Sequence, residues 1–317
     1  MTRVRSAIVT GASGFLGSCL VSHFMQAGIE VTCLVRAKQK LPSSIDCGQV
    51  RIIETPLFRG SELKRQLLGV PGDILIHLAS YGVRQEERDP EQLIDGNVGL
   101  LHQLLEAIRD RPLHKFIHTG SCSEYGFPVS DAALISETHP LRPASPYGAA
   151  KAASVLFGHA IASNWSIPLV TLRLFGVFGT HEAPHRLIPY MIARLNDDQA
   201  AELTPGEQVR DLLFEGDVAA AFLEAAKSDR VVPYEVYNVC SAQPVRIRQV
   251  GEAVADSLTK PRTLLHWGKR PYRTDEPMWL VGDNRKFVEA TPWRPRVSLQ
   301  EGIRRMISSA KLTAAQR

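Results

Sequence analysis

Short apolar runs alternate with segments of helical period through the first half of the chain. SAIVTG, from Ser6, is rich in β-branched residues and predicts a strand. Leu16, Leu20 and Phe24 then share one helical face that stops at Gly28. VTCLVR from Val31 and DILIHLAS from Asp73 predict two more strands, the second bounded by Pro71-Gly72. Residues 91–109 predict one helix with Ile94, Leu101, Leu105 and Ile108 on a single side and Asn97 as an internal hydrogen-bonding residue. KFIHTGS from Lys115 predicts a strand, 146–163 a helix, and PLVTLRLFGV from Pro168 a strand. Strands alternating with helices predict parallel strands joined by crossovers. The expected fold is α/β, a Rossmann-type doubly wound parallel sheet.

After Gly176 the rhythm breaks. Residues 181–189 read as a loop and 209–226 as a strand feeding a helix. From Ser241 proline and arginine become frequent, and an amphipathic helix closes the chain near 299–307. The expected division is a dinucleotide-binding domain of 1–175 plus 209–240 and a smaller C-terminal substrate-binding lobe of 176–208 plus 241–317. The lobe should cover the carboxyl edge of the sheet, where ligands of such sheets bind.

Composition acts mainly by exclusion. Hydrophobic residues at 44% and charged residues at 22% are those of an ordinary globular protein. The net charge of +4 is scattered, whereas a nucleic-acid footprint needs a clustered basic face, so no nucleic-acid partner is expected. Five cysteines (Cys19, Cys33, Cys47, Cys122, Cys240) include no C-x-x-C pair, which predicts reduced thiols without a disulfide frame or metal site. No apolar run suits a signal peptide or a membrane span, so a soluble, cytoplasmic protein without a membrane partner is expected.

TGASGFLG sets Gly11, Gly14 and Gly17 between the first strand and the first helix. Glycines there permit a tight turn and close backbone approach to a pyrophosphate, which the helix N-terminus then binds. YGAAK puts Tyr147 and Lys151 four residues apart, on one helix face. An ammonium and an oxidised nicotinamide nearby are expected to bring the phenol, ordinarily near 10, into working range at neutral pH.

With its three-residue glycine intervals and the Y-x-x-x-K pair behind a strand ending in Gly120-Ser121, the whole chain resembles the extended short-chain dehydrogenase/reductase family. The likeness is to its NAD(P)-dependent nucleotide-sugar epimerase, dehydratase and ketoreductase group. The resemblance implies a catalytic set of Ser121, Tyr147 and Lys151. It implies cofactor contacts from Gly11, Ser13, Gly14, Phe15, Leu16 and Gly17 in the turn. Further cofactor contacts fall to Leu78, Ala79, Ser80, Tyr147, Lys151 and Leu174. Where NAD enzymes carry an acidic residue at the end of the second strand, this chain has Val35, then Arg36 and Lys38. An arginine there suits a 2′-phosphate, so NADPH (NADP) is the preferred cofactor and NAD a possible one. The family's usual aspartate after the third strand is absent from RIIETPLF.

GSCSEYG, from Gly120, narrows the chemistry. The 4,6-dehydratases of this group carry an acid two residues after the position of Ser121; here Cys122 and Ser123 stand instead, so elimination is disfavoured. Glu124 is displaced by one residue and reads as structural or as an orienter. Enzymes that epimerise before reducing pair a cysteine in this turn with a histidine in a later H-x-x-P stretch. Those positions are Ser123 and Arg186, with Cys122 and His185 each one residue away. The glutamate before the tyrosine and the run ISETHPLRPASPYGAAK are similar to the 4-keto-6-deoxysugar nucleotide reductase branch.

Substrate contacts implied by the resemblance are Ser121, Ser123, Tyr147, Arg186, Arg210 and Arg273, the last two clamping a nucleotide diphosphate with planar forks. For Arg210 an ion pair with Asp211 is the alternative role. Gly176 stands where the family usually has an asparagine that contacts substrate. The expected function is an NADPH-dependent ketoreductase of a nucleotide-linked 4-keto-6-deoxyhexose, in deoxysugar biosynthesis. The alternatives are a nucleotide-sugar 4-epimerase with retained NAD and an idle NADP-binding sensor. By family resemblance the protein is a homodimer joined through the helices at 91–109 and 146–163.

Overall fold

The computed structural model describes residues 4–315 apart from 39–40, 42–44, 46–47, 56–58, 85, 128–132 and 275. Cys47 and most of the stretch just after the third strand thus lie outside the described residues. The strands in chain order are β1 (Ser6–Thr10), β2 (Glu30–Val35), β3 (Arg51–Glu54), β4 (Ile74–His77), β5 (Lys115–Ser121) and β6 (Leu169–Leu174). Then follow β7 (Gly176–Phe178), β8 (Ala201–Glu202), β9 (Val209–Phe214), β10 (Val236–Val239), β11 (Pro244–Arg246), β12 (Leu265–His266) and β13 (Trp279–Leu280).

A seven-stranded sheet runs β10-β6-β5-β4-β1-β2-β3, and every pair in it is parallel. Because β1, β4 and β6 are buried along their whole length, both faces of this sheet must be covered. On one face pack α1 (Phe15–Gln26), α7 (Glu215–Lys227) and α9 (Arg285–Ala290), around Val9, Phe24, Ile76, Phe222 and Phe287. On the other lie α2 (Gly60–Gln66), α4 (Leu100–Ile108) and α5 (Pro146–Asn164), around Ile8, Leu75, Leu105 and Phe116. The order reverses between β1 and β4, and a crevice opens there beyond the carboxyl ends of the strands.

The segment predicted as one helix over 91–109 is divided. α3 (Pro90–Ile94) starts at an Asp89 cap whose side chain accepts from the Gln92 N–H, and a π turn over Asp95–Gly99 joins it to α4. A π turn inserts one residue without interrupting the apolar stripe, so periodicity does not reveal it.

The lobe is built on β9, which pairs with β11, β13 and β7. Behind it α6 (Leu187–Asn196), α8 (Ile247–Leu258) and α10 (Leu299–Ala315) bury Met191, Leu195, Val250, Val254 and Ile303. The expected division at 209 therefore shifts. β9 belongs to the lobe's sheet, while α7 and β10 return to the main domain and α9 packs there too. A strand is placed by its hydrogen-bonded neighbours, which sequence order does not reveal. Among the described residues, no helix is long and apolar enough to cross a membrane.

Candidate active site

Several of the implied cofactor and catalytic residues lie at or just beyond the carboxyl ends of strands. Gly11 follows β1, Arg36 follows β2, Leu78–Ser80 follow β4, Ser121 ends β5, and Leu174 ends β6 beside it in register. In the first turn Gly11 has φ +74°, and a Cβ there would lie 2.6 Å from the Ala79 nitrogen; one on Gly17 would lie 2.0 Å from the Gly11 oxygen. These two glycines satisfy the protein's own packing. Gly14 differs: a Cβ would meet only the Gly11 oxygen, at 3.3 Å. It caps α1 with no side-chain acceptor, which leaves the helix N-terminus free for a ligand's phosphates. Arg36 is exposed beyond the buried Val35, and the neighbouring Lys38 N–H donates to Glu54 at 3.4 Å.

Ser145 and Pro146 fix the start of α5. The Ser145 hydroxyl accepts from the Gly148 N–H at 3.1 Å, and Pro146 occupies the first turn, where a missing N–H costs nothing. Tyr147 thus sits in the first turn and Lys151 one turn on. A Cβ on Gly148 would lie 2.4 Å from the Ser123 oxygen, so a glycine is what lets α5 dock on the GSCSEYG turn. The result sets Tyr147 beside Ser121 and Ser80, whose hydroxyls act to lower its phenol against the effect of burial.

Tyr147 as a whole is half-buried, but its hydroxyl is enclosed, and burial pushes the phenol up to about 12. Among the protein's own groups burial is the largest influence on this phenol, and it favours the protonated form. Lys151 is buried, its ammonium brought down to about 8 by burial, with Glu124 opposing. Its Nζ donates to the Thr119 carbonyl at 2.5 Å, the one hydrogen bond it makes among the described residues. Two donors remain for a ligand's hydroxyls.

Ser121 caps a 3₁₀ turn over Cys122–Glu124 in a reciprocal box: its Oγ accepts from the Ser123 N–H at 3.2 Å, and Glu124 Oε1 accepts from the Ser121 N–H at 2.6 Å. Glu124 Oε2 is held by Arg173, through Nε at 2.9 Å and Nη2 at 2.6 Å. Arg173 also donates to Tyr125 Oη at 2.7 Å, and Tyr125 donates to Asn238 at 2.8 Å. Both carboxylate oxygens of Glu124 are thus engaged inside the fold. It orients Ser121 and has no free edge for a substrate. The Cys122 thiol is pushed up to about 12 by burial, with the Arg210 and Asp211 charges acting on it in opposite senses. Ser121 Oγ donates to Ser123 Oγ at 3.1 Å.

On the lobe side Arg210 and Arg273 converge on a residue that no motif marks. Arg210 Nη2 binds Glu276 Oε1, and Arg273 Nη2 binds Glu276 Oε2 at 3.0 Å. Asp211 does not pair with Arg210. It is buried and accepts from the backbone N–H groups of Ser241, Ala242 and Gly282, at 2.7, 2.9 and 3.3 Å. Arg186 caps α6, exposed, its Nε 3.2 Å from Glu182. Gly176 has no space for the family's asparagine, since a Cβ would lie 2.5 Å from the Asp211 oxygen across the β7–β9 pair.

Below Lys151, one register row crosses the sheet as Thr10, His77, His118 and Thr171. Thr10 Oγ1 and His77 Nδ1 are 2.7 Å apart, the two imidazoles stack with centroids at 5.4 Å, and His118 Nε2 lies 3.2 Å from Ser154 Oγ. Burial, with the Lys151 charge second, holds His77 down to about 3 and His118 well below its ordinary value.

The profile of the NAD dependent epimerase/dehydratase family matches residues 7–240, most of the chain. The chain belongs to that family. It is a nicotinamide-dependent enzyme of the epimerase/dehydratase type. It is 27% identical over 319 residues to the dTDP-glucose 4,6-dehydratase of Xanthomonas campestris pv. campestris (strain B100), covering 93% of this chain and 90% of that protein. It is 27% identical over 306 residues to the CDP-abequose synthase of Salmonella typhimurium, covering 95% and 96%. The crystal structure of Thermus thermophilus UDP-glucose 4-epimerase with NAD superposes with a TM-score of 0.85 at 26% identity, covering 96% of this chain and 99% of that one.

Proposed function

We propose that the protein is an NADPH-dependent ketoreductase of a nucleotide-linked 4-keto-6-deoxyhexose. The engagement of Glu124 carries this reading. A dehydratase needs a second acid–base group beside the catalytic tyrosine, and the one carboxylate of the catalytic turn is consumed by Ser121 and Arg173. Tyr147 then stands as the single proton donor at the reacting centre, and reduction of a ketone requires one.

When bound, the nicotinamide supplies the hydride. Tyr147, kept protonated by burial, gives its proton to the ketone oxygen, while Ser121 donates a hydrogen bond to that oxygen. Lys151 offers its two remaining donors to the nicotinamide ribose. Arg210 and Arg273 hold the diphosphate, with Arg186 as a further contact, and Ser123 faces the sugar. Arg36 favours NADPH over NADH. Two copies associate through α3, α4 and α5, which leave Ile94 at 58% and Leu156 at 64% exposure. Leu156→Asp is expected to yield a monomer in analytical ultracentrifugation.

The test is NADPH consumption against a panel of 4-keto-6-deoxy sugar nucleotides that differ in base. Oxidation with one member, reduced at least ~100-fold in Tyr147→Phe, supports the reading. The second reading, a nucleotide-sugar 4-epimerase with retained NAD, draws on the likeness to the NAD-containing epimerase structure. No oxidation with any member, together with NAD released on denaturation, would replace the first reading by the second.

A further inference from the structure

Tyr147 sits in the first turn of α5, and a side chain in a helix leans back over the turn that precedes it. For a first-turn residue that turn lies outside the helix, so the ring needs a wall from elsewhere in the fold. The loop between β4 and α3 supplies one at Gly82. This glycine is buried, and its φ of +96° is one that residues with a side chain rarely adopt. A Cβ added there would lie 2.8 Å from Tyr147 Cδ2 and 2.4 Å from Leu93 Cδ2. The bare α-carbon therefore packs directly against the edge of the catalytic ring.

Two adjacent side chains of opposite charge hold that peptide in place. Glu87 Oε2 accepts from the Gly82 N–H at 2.9 Å and from the Arg84 N–H at 3.3 Å. Arg88 Nη1 donates to the Gly82 carbonyl at 3.1 Å and reaches the Arg84 and Glu87 carbonyls at 2.8 and 2.9 Å. Both polar groups of a buried glycine are thus met by ionised partners, which make the stronger class of hydrogen bond. The reductase chemistry uses neither charge. Upstream of Gly82 the loop is pinned separately: Asn97 Nδ2 donates to the Tyr81 carbonyl at 2.9 Å, and Ser80 Oγ donates to Asn97 Oδ1 at 2.7 Å.

We propose that Gly82 is the seat of the catalytic tyrosine and that Glu87 and Arg88 are the clasp that sets it. All three are positioning residues, acting through the Tyr147 ring. By fixing where the ring edge stops, the clasp fixes the line along which the phenol meets the substrate oxygen. A displacement of about 1 Å along such a line costs up to about a hundredfold in rate. Because Asn97 anchors the Ser80 end independently, the clasp governs the ring without governing the cofactor contact implied for Ser80. Its catalytic meaning rests on the ketoreductase reading, but the seat itself has a readout that needs no substrate.

A fluorotyrosine placed at position 147 reports the surroundings of the ring by fluorine NMR. Glu87→Ala removes the acceptor of both N–H groups, so the resonance should move toward that of the unfolded chain. In turnover the same variant should lower kcat roughly tenfold with KM for NADPH unchanged, as expected for a group that acts only in the transition state. Both N–H groups meet a single carboxylate oxygen, and Glu87→Gln keeps one oxygen there, so resonance and kcat should return close to the parent's. Gly82→Ala, whose methyl would press on the ring, should lower kcat about a hundredfold.

A moved resonance and a fallen kcat in Glu87→Ala, both recovered in Glu87→Gln, support the seat, because general loosening of the loop would raise KM for NADPH as well. An unmoved resonance, equal losses in the two Glu87 variants, or a KM for NADPH that rises in step would overturn it. If Gly82→Ala does not fold, the pair of Glu87 variants still decides. A resonance that moves in Glu87→Ala and returns in Glu87→Gln, in a protein that reduces no keto sugar, would leave the seat standing and sink the reductase reading alone.

Discussion

Glu124 and Arg173 form a buried ion pair, Oε2 to Nη2 at 2.6 Å, and Glu124 accepts from the Ser121 N–H through its other oxygen. Arg173 also lies over the Tyr125 ring, 4.5 Å from its centroid. The pair is tied in on both sides, Glu124 accepting from the Ser121 N–H and Arg173 donating to Tyr125 Oη, and removing one partner strands the other.

Glu124→Gln should therefore destabilise the protein by about 3–5 kcal/mol, well beyond the loss of one hydrogen bond. Urea unfolding gives the number. A change below about 1 kcal/mol would mean that the arginine finds water or another acceptor, and the pair would not be what sets Ser121.

In cofactor choice, Arg36→Ser should lower kcat/KM for NADPH roughly tenfold to a hundredfold while leaving NADH nearly unchanged, since a charge-assisted contact to the 2′-phosphate is lost. Steady-state kinetics with both cofactors checks this. Equal losses with both would remove Arg36 from the ribose site.

Arg210→Met and Arg273→Met should each raise KM for the nucleotide sugar about tenfold or more, with kcat changed far less, because neither arginine touches the reacting carbon. A fall in kcat at constant KM would contradict that assignment.

Acid should weaken the fold. His77 is neutral in the native state, with a value of about 3 against the ordinary 6.5. The unfolded chain therefore binds more protons below about pH 6.5, and stability is lost progressively as pH falls from there toward about pH 3. His118 acts in the same sense. Each unit of the window costs about 1.4 kcal/mol per histidine. Unfolding measured at about pH 7 and about pH 5 should show the drop, and His118→Phe should make it shallower. An equal drop in that variant would place the acid sensitivity elsewhere.

Much of the site is legible in the chain because it is local. Gly11, Gly14 and Gly17 lie within one turn, and Tyr147 and Lys151 within one helical turn, so spacing alone carries their geometry. What stays hidden depends on residues that only the fold joins. Glu276 meets Arg210 across 66 positions, and nothing near PMWLVGD announces it. The row from Thr10 to Thr171 draws one residue from each of four strands, and its register appears only once they pair. Asn97 was legible as an internal hydrogen-bonding residue. Its link to Ser80 was not, because the π turn that rotates it leaves the apolar spacing intact.

The Glu276 bridge has a consequence for selectivity. Glu276 already holds Arg210 and Arg273, so in the proposed diphosphate clamp an incoming ligand competes with it. A ligand bearing a single weak charge gains little by exchanging places with a carboxylate that is tethered and always present. A diphosphate brings more charge and more oxygens than Glu276 can offer. Under the role proposed for these arginines, the lobe favours a diphosphate over weaker anions.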